Sequence, residues 1–157
     1  MTRSHMLLAI DRSEAGAAAV DFTIGLASGW GARVTVLHVR EMSPMRRMQP
    51  LESIHDARAL VEGTMARIDR AGLVTAGLVH TVQEGSVVRC IVEASSERWC
   101  DGIILGSHRH RGIRRLSRGG VRDRVMRSSS LPVFVAPPAL RCSRTKGADV
   151  LSPGGVS

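Results

Sequence analysis

The chain has 157 residues, 43% of them apolar, with a formal charge of +8 and only two tryptophans, two phenylalanines and no tyrosine. That length suits one folded domain with a real core, and the three cysteines, Cys90, Cys100 and Cys142, lack the even number and the C-x-x-C spacing of a disulfide framework or zinc site. The apolar run from Met6 to Ile10 is too short for a membrane span or signal core, so the expectation is a cytoplasmic protein with no membrane partner.

The first element is a strand, His5–Ile10, apolar enough for burial on both faces. Asp11-Arg12-Ser13 turns the chain, with Ser13 or Asp11 able to cap an alanine-rich helix over Glu14–Ser28 that Gly29 and Gly31 close. A second strand, Arg33–Val39, leads into a long, methionine-rich, polar connection, Arg40–Pro50, read as a loop. A helix over Leu51–Ala71 follows, with Ile54, Ala57, Leu60, Val61, Met65 and Ile68 on one face and Gly72 as its stop.

Leu78–Gln83 reads as the third strand, Glu84-Gly85-Ser86 as a turn and cap, and Val87–Trp99 as a helix with Cys90 packed in it. Ile103–Leu105 is the fourth strand, Gly119–Ser128 a short helix, and Pro132–Ala136 a fifth strand whose proline belongs at a sheet edge. The segment 138–157 is rich in Pro, Gly, Ser and charge and reads as a disordered tail, leaving 1–137 as the domain. Strands alternating with helices predict an α/β fold built from βα units around a parallel sheet.

Charge is concentrated in one place. Between Gly106 and Arg127 eight arginines (109, 111, 114, 115, 118, 122, 124 and 127) stand against Asp123, a net +7 of the chain's +8. A basic, glycine-bearing loop between a buried strand and a helix start is where backbone N–H groups and the helix dipole converge on an anion. Phosphate is the first ligand this suggests. Scarce aromatic residues remove the stacking platforms of many single-strand-binding proteins, which disfavours nucleic acid. His108-x-His110 has no acidic or cysteine partner nearby in sequence, so no metal site is expected, and G-x-S-x-G, H-E-x-x-H and Walker A patterns are absent.

In order and spacing, Leu7-Leu8-Ala9-Ile10-Asp11-x-Ser13, Val36-Leu37-His38-Val39, Glu84-Gly85, Asp101-Gly-Ile-Ile-Leu-Gly106-Ser107 and Ser130-Leu-Pro132-Val-Phe-Val135 resemble the universal stress protein family, over roughly Ser4 to Pro137. The resemblance implies a five-stranded parallel sheet of order 3-2-1-4-5 with helices on both faces, and a homodimer through the fifth strand. It also implies an ATP site, with Mg as the accompanying ion. Asp11 would take the ribose and the Val39 backbone the adenine, with Ala9, Ser13 and Leu105 beside them; Gly106, Ser107, Arg109, Gly119, Gly120 and Val121 would surround the phosphates.

The family's ATP-binding pattern, G-x2-G-x9-G-[ST], falls on Gly106, Arg109, Gly119 and Gly120, so its first and third elements match and its second and fourth do not. A side chain at Arg109 either obstructs the phosphate cradle or supplies a guanidinium in place of backbone donors. The expected role is a small regulatory or protective nucleotide-binding protein, not an enzyme, with at most slow ATP hydrolysis because no general base is evident. The alternative is an interaction module without nucleotide, whose arginines dock an acidic protein or a nucleic-acid backbone.

Overall fold

The computed structural model describes residues 4–107 and 120–138. Six strands and four helices follow one another as β1 (His5–Ile10), α1 (Glu14–Trp30), β2 (Arg33–Ser43), β3 (Gln49–Pro50), α2 (Ile54–Asp69), β4 (Val74–Gln83), α3 (Val87–Glu97), β5 (Gly102–Gly106), α4 (Val121–Ser128) and β6 (Val133–Ala136). Five strands run parallel in the order β4-β2-β1-β5-β6, the expected 3-2-1-4-5. The sixth, β3, is a correction to the five-stranded reading: it pairs antiparallel with the end of β2, Met42 opposite Pro50 and Ser43 opposite Gln49.

The same correction removes the loop read over Arg40–Pro50. β2 runs on to Ser43, paired with β4 as far as Met42 opposite Gln83, and a short 3-10 turn at Pro44–Arg46 precedes β3. Arg40 made this stretch look like surface, yet it is buried. Its guanidinium donates to Thr81 Oγ1 at 3.0 Å and to the Glu52 carbonyl at 2.8 Å, hydrogen bonds that offset part of the cost of burying a charge. β4 likewise starts four residues earlier than the Leu78 expected, because Val74, Thr75, Ala76 and Gly77 pair with β2 despite their weak apolar pattern.

Ser13, not Asp11, caps α1: its hydroxyl accepts from Gly16 N at 3.1 Å, and Gly31, at φ 59°, ends the helix two residues later than Ser28. α2 begins at Ile54, capped by Ser53, and ends at Asp69, short of Ala71. Ile54 itself is exposed, while Ala57, Val61 and Ile68 are buried as their spacing predicts. Ser86 stands at the N-cap of α3 without a capping hydrogen bond, and Val88, Cys90, Ile91, Ala94 and Ser95 face inward. β6 starts at Val133, one residue after Pro132, and lies at the sheet edge, paired among the described residues with β5.

Two apolar layers cover the sheet. On one face α1 and α2 pack Ala19, Val20, Ala27, Val61 and Ile68 against Met6, Leu8, Ile10, Val34, Val36 and Ile104. On the other, α3 and α4 pack Val88, Ile91, Ala94 and Val125 against Leu7, Leu37, Ile103 and Leu105. Alternation along each strand assigns neighbouring residues to opposite layers. No helix among the described residues is long and apolar enough to cross a membrane.

Candidate functional site

From β1 the chain progresses outward through β2 to β4 on one side, and β5 and β6 lie on the other, so the direction of strand order reverses between β1 and β5. Beyond the carboxyl ends of strands at such a reversal, the connections part to opposite faces and leave a crevice. Here the crevice measures about 260 Å³, just below the usual range for small-molecule sites. Ala9, Ile10 and Asp11 line it from β1 and its loop, Leu37, Val39 and Glu41 from β2, and Leu105 and Gly106 from β5. Val87 and Ile91 of α3, Ser13, Ala15 and Gly16 at the start of α1, and Val121 and Arg122 of α4 complete it.

Seven of the expected residues therefore meet in one cleft: Ala9, Asp11, Ser13, Val39, Leu105, Gly106 and Val121. Ser107 and Gly120 flank it in the chain without lining it, and Arg109 and Gly119 lie outside the described residues, as do the other arginines from 111 to 118 and the tail from 139. Pattern reading missed Glu41 and Arg122 as individual cleft residues. Glu41 follows Leu37 and Val39 at every second position, a signal hidden once β2 was ended at Val39.

The Asp11 loop is closely built. Asp11 Oδ1 accepts from Ser13 N at 3.0 Å and from the Ser13 hydroxyl, while Ser13 Oγ accepts from Gly16 N. A Cβ on Gly16 would lie 2.4 Å from the Asp11 carbonyl oxygen and 2.8 Å from Oδ1, so only glycine lets the first turn of α1 sit on this loop. The Asp11 carboxylate is exposed, and Oδ2 takes no hydrogen bond among the described residues.

At the other wall, Gly120 is the N-cap of α4 and provides no side-chain cap, so the first-turn N–H groups of that helix lack the hydroxyl acceptor that Ser or Thr would offer. Arg122 points its guanidinium at Asp123, Nε to Oδ1 2.8 Å, and remains one-third exposed in the cleft wall. Ser107 Oγ is buried with no hydrogen-bond partner among the described residues. Uncapped N–H groups and a guanidinium suit an anion, and the apolar stretch of Ala9, Leu37, Val39, Ile91 and Leu105 suits a flat hydrophobic group.

Behind β2, a second polar group braces the same loop. His38 Nδ1 lies 2.9 Å from the Ile10 carbonyl oxygen and Nε2 meets the Glu52 carboxyl, which also accepts from Arg12 Nε at 3.1 Å. Burial works to raise the pKa of Glu52, but the hydrogen bonds from His38 and Arg12 outweigh it and hold this carboxyl below its ordinary range. Among the described residues no group of three or more His, Cys, Asp or Glu side chains is arranged to hold a metal ion.

The model of the universal stress protein family matches residues 2–137. No curated protein matches the chain. Among solved structures, a protein of that family from Burkholderia pseudomallei is 24% identical, with a TM-score of 0.68 over 87% of this chain and 97% of its own. A universal stress protein from Archaeoglobus fulgidus in complex with dAMP is 20% identical, with a TM-score of 0.66 over 87% of this chain and 100% of its own. One in complex with cAMP is 18% identical, with a TM-score of 0.65 over 88% of this chain and 100% of its own.

Proposed function

The chain belongs to the universal stress protein family, and from that premise we propose that the cleft binds an adenine nucleotide, with ATP, and Mg alongside it, as the first candidate. The observation that carries this reading is the meeting of Asp11, Val39, Gly106 and Val121, distant in sequence, around one crevice. In this reading the exposed Asp11 carboxylate accepts from the ribose hydroxyls, and the base lies on Ala9, Leu37, Ile91 and Leu105 against the Val39 backbone. Ser107, Arg122 and the N–H groups from Gly120 onward receive phosphate. That two structures of the same fold are complexes with dAMP and cAMP supports the ligand class.

Binding is the whole role proposed, and turnover is not part of the reading. A cytoplasmic setting accords with Cys90 and Cys100, both free and buried. We include in the proposal a homodimer through the outer edge of β6, a strand that among the described residues pairs only with β5.

The test is thermal unfolding of the full chain with and without Mg-ATP, with Asp11→Ala and Arg109→Gly in parallel. A ligand at a hundredfold over Kd adds about 2.7 kcal/mol, a rise in Tm of several degrees. The expected result is a shift in the wild type that Asp11→Ala removes. A shift confined to Arg109→Gly assigns the wild-type arginine to blocking the site and favours the docking-module reading; no shift in any form overturns nucleotide binding.

A further inference from the structure

Side chains of opposite sign line the cleft from elements on either side of β1: Arg122, paired with Asp123, from α4 and Glu41 from β2. Arg122 belongs to the uncapped first turn of its helix, and apolar residues line the cleft as well. Glu41 Oε1 accepts from the backbone N–H of Gly85 at 3.1 Å. Gly85, at φ 86°, forms the turn between β4 and α3. That hydrogen bond holds the carboxyl group in place and leaves its second oxygen without a partner among the described residues.

A carboxylate accepts hydrogen bonds and cannot donate them. A ligand with its anionic end at Arg122 and its flat part on Val39 therefore meets an acceptor at its far end, and gains most when it presents an N–H there. Resting on the nucleotide reading above, we propose that Glu41 is a specificity-determining residue: it accepts from the exocyclic amine of adenine and disfavours a purine that places a carbonyl oxygen at that position. Two acceptors brought together are both stripped of water without a proton between them, which is costly in a crevice partly closed to solvent.

Titration calorimetry of the full chain with 5′-AMP and 5′-IMP tests this, because the two ligands differ where the amine stands. The wild type should bind AMP about tenfold or more tightly than IMP. In Glu41→Gln the amide oxygen stays on the Gly85 N–H and the NH2 turns to the ligand, so the preference should reverse toward IMP. Equal affinity of the wild type for both ligands overturns the assignment while leaving the nucleotide reading intact, as does an AMP-to-IMP ratio unchanged in Glu41→Gln. Binding of neither ligand by the wild type, together with no response to Mg-ATP, overturns both. Because the Val39 backbone also faces the base, it is the change of the ratio in the variant that assigns the preference to Glu41; should Glu41→Gln fold poorly, Glu41→Ala, which should bring the AMP-to-IMP ratio toward that of the backbone alone, serves in its place.

Discussion

Gly106 and Ala15 are in steric register: a Cβ built on Gly106 would stand 2.5 Å from the Ala15 carbonyl oxygen and 2.7 Å from its carbonyl carbon. The glycine at the end of β5 is thus required by the first turn of α1, whatever else approaches it. Sequence patterning assigned this glycine to phosphate approach; the backbone of the protein itself is the nearer neighbour.

It follows that Gly106→Ala should destabilise the protein without any nucleotide present. Overpacking against backbone, which cannot swing aside like a side-chain end, should cost about 1–3 kcal/mol. Urea unfolding of the nucleotide-free protein measures this, and an unchanged midpoint would restore the phosphate explanation of the residue.

Trp99 follows α3 at φ 52°, with Cys100 N bonded to the Ser95 carbonyl at 2.9 Å and its own N–H to that of Ser96 at 3.1 Å. This is a left-handed helix stop of the kind glycine usually fills, here held by a tryptophan that is 87% exposed. Trp99→Gly should relieve the strain and lose little packing, raising stability by about 0.5–1 kcal/mol; a lower Tm for the variant would mean that the indole has a packing role outside this account.

Glu52 should govern part of the response to acid. Its carboxyl titrates lower in the folded chain than in the unfolded one, because His38 and Arg12 donate to its charged form more than burial disfavours it. The stabilisation is therefore present above the unfolded carboxylate range, around pH 4.3, and is lost as pH falls through the folded value. With the Arg12 side open to water, Glu52→Gln should cost only about 0.5–1 kcal/mol near pH 7, and the gap should close below about pH 4. Urea midpoints across that range supply the check; a gap constant with pH would remove the linkage.

The buried thiols should be inert. Burial is the largest influence raising both groups, Cys90 beside Glu93 and Glu97, and Cys100 to about 11 with Asp101 adding to the effect. In a Cys142→Ser background, modification by a disulfide reagent at pH 8 should be about a hundredfold slower in the folded chain than in urea. Rapid labelling of the folded chain would show that α3 opens more readily than its packing suggests.

Much of the fold was legible because buried parallel strands announce themselves as apolar runs, as at Met6–Ile10 and Ile103–Leu105, and because Ser13 and Gly31 mark helix ends by chemistry local to them. The far half of β2 was not legible. Arg40 is buried there only because Thr81, forty-one residues on, and the Glu52 carbonyl accept from it, and no local pattern announces such partners. The cleft was legible through family spacing at Asp11, Val39 and Gly106. Glu41 follows by strand alternation once β2 is known to run past Val39, whereas Gly16 depends on which backbone lies opposite, a property of the folded chain alone.

β2 carries Leu37, Val39 and Glu41 toward the cleft, while His38 and Arg40 serve the polar brace on the opposite face. Such interleaving makes the strand tolerant of substitution, one residue at a time, and intolerant of changes in length. One residue inserted between Val36 and Glu41 would exchange the two sets, turning an imidazole and a guanidinium into the ligand crevice and apolar groups onto the polar brace. In the descent of this chain, insertions and deletions should therefore have gathered in the segment from Pro44 to Ser53 and spared the seven residues before it.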